Sequence, residues 1–147
     1  MRDDMQLAIV ASLLRRGKPL DQLSTGLTLL SLLGGLTQLW INLPSLTLTA
    51  LMIWIVTCGV IEKYYSFRVA FDADLFAIVA AKPGRTADFD SVMIELKLLP
   101  VDKAARPWGT RCQGALELLR FQILFVVLQL LSLLIALSIL PWLPFTQ

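Results

Sequence analysis

Histidine is absent from this chain, and cysteine occurs only at Cys58 and Cys112. Without an imidazole there is no ordinary general base, haem ligand or His-based zinc site. The two cysteines are far apart and form no CxxC, which removes a redox or metal pair. Charge is scarce as well: 16% of residues are charged, against ~25% in an average globular domain. The deficit is concentrated, because no charged residue lies between 22 and 61, nor from 121 to the end. Apolar runs of ~20 residues or more without charge must be hidden from water. Together with 56% hydrophobic residues and a mean hydropathy of +0.71, they exclude a soluble domain, a nucleic-acid binder and a disordered chain. What remains is a small integral membrane protein.

As one helix the run 22–61 would be ~60 Å long, about twice the thickness of a hydrocarbon core. Its middle carries Asn42-Leu43-Pro44-Ser45. Pro44 lacks an N–H and disfavours helix at Leu43, so the helix should stop there, with Asn42 and Ser45 suited to capping the two ends. Two spans follow, about 23–41 and 46–61, joined by a tight hairpin. A third span, about 121–140, is closed by Pro141 and Pro144. The fold class expected is therefore an all-α integral membrane protein with three transmembrane helices and a cytoplasmic helical extension between the second and third. Its parts are an amphipathic cytoplasmic N-terminal segment (1–20), a transmembrane hairpin (21–61), a cytoplasmic helical region (62–120), and the third span with a short outer tail (121–147).

All thirteen lysines and arginines sit before residue 19 or between 63 and 120. The positive-inside rule then places the N-terminus and the central segment in the cytoplasm, and the turn and C-terminus outside. Trp40 and Trp142 fall at the outer ends of the first and third spans. Tyr64 and Tyr65, with Lys63 and Arg68, mark the inner end of the second. The stretch 5–14 is not a signal-peptide core, since Asp3 and Asp4 precede it, Arg15, Arg16 and Lys18 follow it, and it is too short to span. It reads as an interfacial or domain-packing helix. Its basic cluster anchors topology at the headgroups, where each cation gains ~1 kcal/mol near anionic lipid. The compact topology without a signal sequence suggests a bacterial inner membrane.

The cytoplasmic part is helical by period. Tyr64, Phe67, Phe71, Leu75 and Ile78 recur at three- and four-residue steps, and no proline separates them from the second span. One helix should therefore run from Ser45 to Ala81 and end at Lys82-Pro83-Gly84-Arg85. A second helix, 88–99, carries Phe89, Val92, Met93, Leu96 and Leu99 on one face, with Asp88 as N-cap and Pro100 as terminator. A third stretch with Trp108, Cys112, Ala115, Leu116 and Leu119 leads straight into the third span. These three stripes should pack on one another as a small bundle. Tyr65, Val69 and Phe76 then form a secondary ridge on the first of these helices, and Ile94 with Leu98 another on the second. Left over by the bundle, they are candidate contacts for a partner or for the bilayer surface.

No constellation of residues carries catalysis. Asp72 and Asp74 are two apart on a helix and point in different directions, whereas Asp72 lies one turn after Arg68 and can pair with it. Asp88 and Asp90 fail by the same spacing. The spans hold no ionisable residue, which weighs against a pump or ion-coupled carrier. Their hydroxyls (Thr25, Thr28, Ser31, Thr37, Thr47, Thr49, Thr57, Ser132 and Ser138) commonly return to the helix backbone. Gln122 is a further amide in the third span, and Gln38 and Gln129, which cannot satisfy themselves so easily, should hydrogen-bond to a neighbouring helix, in this chain or another. Ser31, Gly34 and Gly35 supply a small-xxx-small step that admits close packing, within this chain or in a homodimer. Cys58 and Cys112 read as small apolar packing residues. GxSxG, Walker, GxGxxG and HExxH motifs, internal repeats, low-complexity runs and lipidation signals are absent.

The expectation is a non-enzymatic protein without cofactor or metal, embedded in the lipid bilayer and partnered by another membrane protein or by itself. Its expected role is that of a non-catalytic subunit or scaffold of a larger inner-membrane assembly. The alternative is a small homo-oligomeric channel or transporter lined by the threonine-rich spans.

Overall fold

The computed structural model describes residues 2–40, 45–81, 86–97 and 107–139, and among these all regular structure is helical. Five helices follow in order: α1 (Arg2–Arg15), α2 (Gly17–Trp40), α3 (Leu46–Ala80), α4 (Thr86–Glu95) and α5 (Trp108–Ile139). Two of them, α3 and α5, are long and apolar enough to cross a membrane. Among the described residues no group of three acidic or cysteine side chains could hold a metal ion.

Local chemistry explains the boundaries. A single turn at Arg16, whose N–H reaches the Leu13 carbonyl at 3.1 Å, separates α1 from α2. Pro19 falls in the first turn of α2, where a missing N–H costs nothing. Ser45 stands immediately ahead of α3, and its carbonyl accepts the Thr49 N–H at 2.9 Å. The hairpin residues Asn42 and Pro44, the break at 82–85, and Leu98, Leu99, Pro100, Pro141 and Trp142 lie outside the described residues. The helix expected over 88–99 is shifted. It begins at Thr86, which puts Asp88 inside the first turn and not at the cap, and it ends at Glu95. Lys97 ends it by taking a left-handed conformation (φ 56°) while its N–H bonds the Ile94 carbonyl at 2.9 Å, the usual way a helix stops.

The chain divides into two compact units, with α3 and α5 each contributing to both. The first comprises residues 1–17 and 67–119. Its core is Leu7, Val10, Ala11 and Leu14 of α1, Val69, Ala73, Phe76 and Val79 of α3, and Cys112 and Ala115 of α5. Trp108 packs on this core, meets Phe76 edge-on at 6.2 Å between ring centroids, and carries the Arg111 guanidinium 4.5 Å above its own ring. The packing corrects the expected arrangement in two respects. The helix that closes the bundle is α1, from outside the 62–120 region. The face of α3 that packs is the one carrying Val69 and Phe76, while Tyr64, Phe67, Phe71 and Ile78, the stripe expected inside, are exposed.

The second unit comprises residues 18–66 and 120–147 and contains α2, the first part of α3 and the last part of α5. Burial here steps by seven: Ser24 and Ser31 on α2, Leu48, Ile55 and Glu62 on α3, Gln122, Gln129 and Ala136 on α5. On α3 the same step continues through Val69 and Phe76 in the first unit. A seven-residue period of buried positions is the pattern of helices that wrap around each other with a left-handed twist. Gly34 and Gly35 face Met52, whose Sδ would lie 3.6 Å from a Cβ placed at Gly34. The small-residue step of α2 therefore packs within this chain.

A buried polar junction between α2, α3 and α5

The interior of the second unit is unusually polar. Ser24, Ser31, Glu62, Gln122 and Gln129 are each almost completely removed from solvent. Gln129 on α5 is the hub. Its Nε2 donates to Thr28 Oγ1 on α2 at 3.0 Å and to the Ile55 carbonyl on α3 at 3.1 Å, and its Oε1 accepts the Ser24 hydroxyl at 2.7 Å. One amide thus ties three helices together.

The approach of Gln129 depends on Gly59. A Cβ at this position would overlap the Thr28 hydroxyl and come within 2.7 Å of Gln129 Nε2. Since 3.0 Å is already closer than real Cβ atoms come, only glycine fits where the hydroxyl and the amide meet α3.

One heptad away along α5, Gln122 donates from Nε2 to Glu62 Oε1 at 2.8 Å. Glu62 is the first residue past the expected end of the second span, and it points into the bundle, not to water. At the more exposed edge of the same unit, the Lys63 ammonium donates to the Asp21 carboxylate, the Asp21 carbonyl and the Thr25 hydroxyl. Both side chains of this ion pair keep solvent contact, 44% for Lys63 and 29% for Asp21, so its net worth is below about 1 kcal/mol. Further along, Trp54 Nε1 donates to Ser132 Oγ at 3.1 Å, and the Thr49 hydroxyl donates to Gln38 Oε1 at 3.3 Å. Polar contacts therefore recur at several levels of the interior.

The remaining hydroxyls turn back on their own helices. Thr25, Thr28, Ser31, Thr37, Thr57 and Ser138 each donate to the carbonyl four residues earlier, at 2.6 to 2.8 Å. The bonds made by Gln38 and Gln129 join different helices of one chain. Tyr65, singled out as a partner contact, is half-buried and stacks on Phe121 and Phe125 of α5, with ring centroids 5.5 and 5.7 Å away. Val69 and Phe76 belong to the core, Ile94 is partly buried on α4, and Leu98 is outside the described residues. Cys58 and Cys112 are both buried and reduced.

Three members of the junction escape a reading of the sequence alone: Ser24, Gly59 and the inward orientation of Glu62. Compared with protein-family models, curated proteins and solved structures, the chain matches none.

Proposed function

We propose that the chain is a membrane protein with three crossings, α2, the first part of α3 and the last part of α5. It acts as a non-catalytic subunit or scaffold of a larger membrane assembly. The basic residues before position 19 and between 63 and 120 orient it with the N-terminus and central region in the cytoplasm, in the manner of a bacterial inner-membrane protein.

The observation that carries this reading is the outer surface of the first unit. On α5, Gln113 and Glu117 are exposed, which suits water. On α3, Phe67, Phe71 and Ile78 are exposed, with Phe67 at 76%. On α1, Met5, Ile9 and Leu13 form an apolar ridge opposite the face that carries Leu7, Val10, Ala11 and Leu14. A unit that offers charge to water on one helix and aromatic side chains on another has surface to give to a partner. The contact residues are then Phe67, Phe71 and Ile78, in place of Val69 and Phe76.

The channel alternative is the weaker of the two. Hydroxyls that donate to their own backbones, and a glutamine hub whose hydrogens are used between helices, leave few polar groups to line a path.

Purification from native membranes in mild detergent tests the proposal. A stoichiometric protein should accompany the wild type and be lost from a Phe67→Ser/Phe71→Ser variant that stays inserted and folded. A chain that purifies alone, and that conducts ions or solutes in liposomes, would instead establish the channel.

A further inference from the structure

We propose that Glu62 is a proton-binding site, its carboxyl held as the neutral acid where α2, α3 and α5 meet, with the proton on Oε2. The inference comes from counting hydrogens. The Ile55 carbonyl can only accept, so the Gln129 atom 3.1 Å from it is the amide nitrogen. The second hydrogen of that nitrogen goes to Thr28 Oγ1. Gln129 Oε1 must accept, and it takes the only hydrogen that Ser24 has. The Thr28 hydroxyl has already given its own hydrogen to the Ser24 carbonyl. Ser24 Oγ lies beside the Glu62 carboxyl and has only lone pairs left to present to it.

Glu62 Oε1 receives the Gln122 amide, whereas Oε2 is buried and receives no hydrogen bond. The charges that face the carboxyl are Asp21 from α2, which repels an anion, and Lys63 from α3. The Lys63 ammonium is taken up by Asp21 and Thr25. From α5 comes Gln122, a neutral amide. An ionised Glu62 would therefore be a carboxylate shut away from water, with one oxygen that receives no hydrogen bond. Groups in that position neutralise rather than stay charged. One proton from water meets the need: it adds to Oε2, and the Gln122 amide keeps its bond to Oε1.

The sign of the linkage follows. An unfolded glutamate releases its proton near pH ~4.3, while the folded one keeps it. The stability that Glu62 lends is complete in acid and is lost as pH rises through the higher folded value. This site lies within the chain's own interior, so its fate is independent of any partner.

Infrared spectra of the full-length protein in liposomes at neutral pH are the test. The wild type should show the C=O stretch of a protonated carboxyl, absent from Glu62→Gln and displaced in Glu62→Asp. The unfolding midpoint of the wild type should fall as pH is raised, and that of Glu62→Gln should not. A wild-type spectrum with carboxylate bands alone would overturn the site, as would identical pH profiles for the two proteins. A sodium ion in place of the proton would show as stability that rises with sodium chloride but not with choline chloride, without the acid band. That result also overturns the proposal. Should Glu62→Gln not fold, the wild-type band and its displacement in Glu62→Asp still decide.

Discussion

Replacing Gly59 with alanine is the sharpest probe of the polar junction. Two effects of opposite sign compete. Alanine in a helix interior is favoured over glycine by about 0.8–1 kcal/mol. Against this, the added Cβ overlaps the Thr28 hydroxyl and sits 2.7 Å from Gln129 Nε2. Forcing one extra carbon into a packed interior costs ~1–3 kcal/mol, and a displaced interhelical hydrogen bond in a membrane bundle adds ~0.6 kcal/mol. Clash and lost bonds win, and the net destabilisation should be about 2 kcal/mol, or ~30-fold in the folding equilibrium. Gly26 has nothing within 4 Å of a built Cβ, so Gly26→Ala should show the helix gain alone and serve as the control. The assay is reversible unfolding of purified protein in mixed micelles. Because the overlap is with Thr28, Gly59→Ala made in a Thr28→Ala background should cost at least ~1 kcal/mol less, a coupling that neighbours in contact routinely show. If Gly59→Ala stabilises as Gly26→Ala does, and shows no coupling to Thr28, then Gln129 does not reach α2 past Gly59.

Gln129→Leu leaves the Ser24 and Thr28 hydroxyls without their shared partner and should lower stability by ~1–3 kcal/mol, read by the same unfolding assay. Phe76→Ala should cost ~3–5 kcal/mol in detergent with no partner present, whereas Phe67→Ser should change stability by no more than ~0.5 kcal/mol. The reverse order would restore the sequence-based assignment of the two faces. A reporter fused after residue 147 should read as extracytoplasmic, and one inserted at 84 as cytoplasmic. The opposite pattern would remove the orientation drawn from the basic residues.

Helix positions were legible where chemistry punctuates the chain. The proline-bearing segments 42–45, 82–85 and 141–144 follow the ends of α2, α3 and α5, whereas nothing in the sequence announced the turn at Arg16 between α1 and α2. The helix at 86–95 was misplaced, because its C-terminus is set by Lys97 in a left-handed conformation, a position more often filled by glycine. The fate of 5–14 was open from sequence. Its apolar residues lie on two faces, and the choice of Leu7, Val10, Ala11 and Leu14 as the packed set is made by α3 and α5, not by α1 itself. Gln38 and Gln129 announced themselves as interhelical donors, because an amide cannot bond its own helix easily. Ser24 and Gly59 did not, since serine and glycine are common in such helices and only their neighbours make them matter.

The inversion of the two faces of α3 has a physical origin. Between residues 64 and 78 of α3 apolar residues occupy more than one side of the helix, so hydrophobic period does not distinguish inside from outside. Polar side chains do, because only the interior offers them partners. Glu62 is the one strongly polar residue of α3 that is fully buried, and it accepts from Gln122. Stepping by seven from it reaches Ile55 and Leu48 in one direction, and Val69 and Phe76 in the other, all of them buried. Stepping by seven from Gln129 reaches Gln122 and Ala115 toward the N-terminus and Ala136 toward the C-terminus, again all buried. The inward face of each of these two helices thus runs through its buried polar residue, with the apolar residues in the same seven-residue register. On α3 that register leaves Phe67 and Phe71, on the opposite side from Glu62, at the surface, which is where a partner would have to meet them.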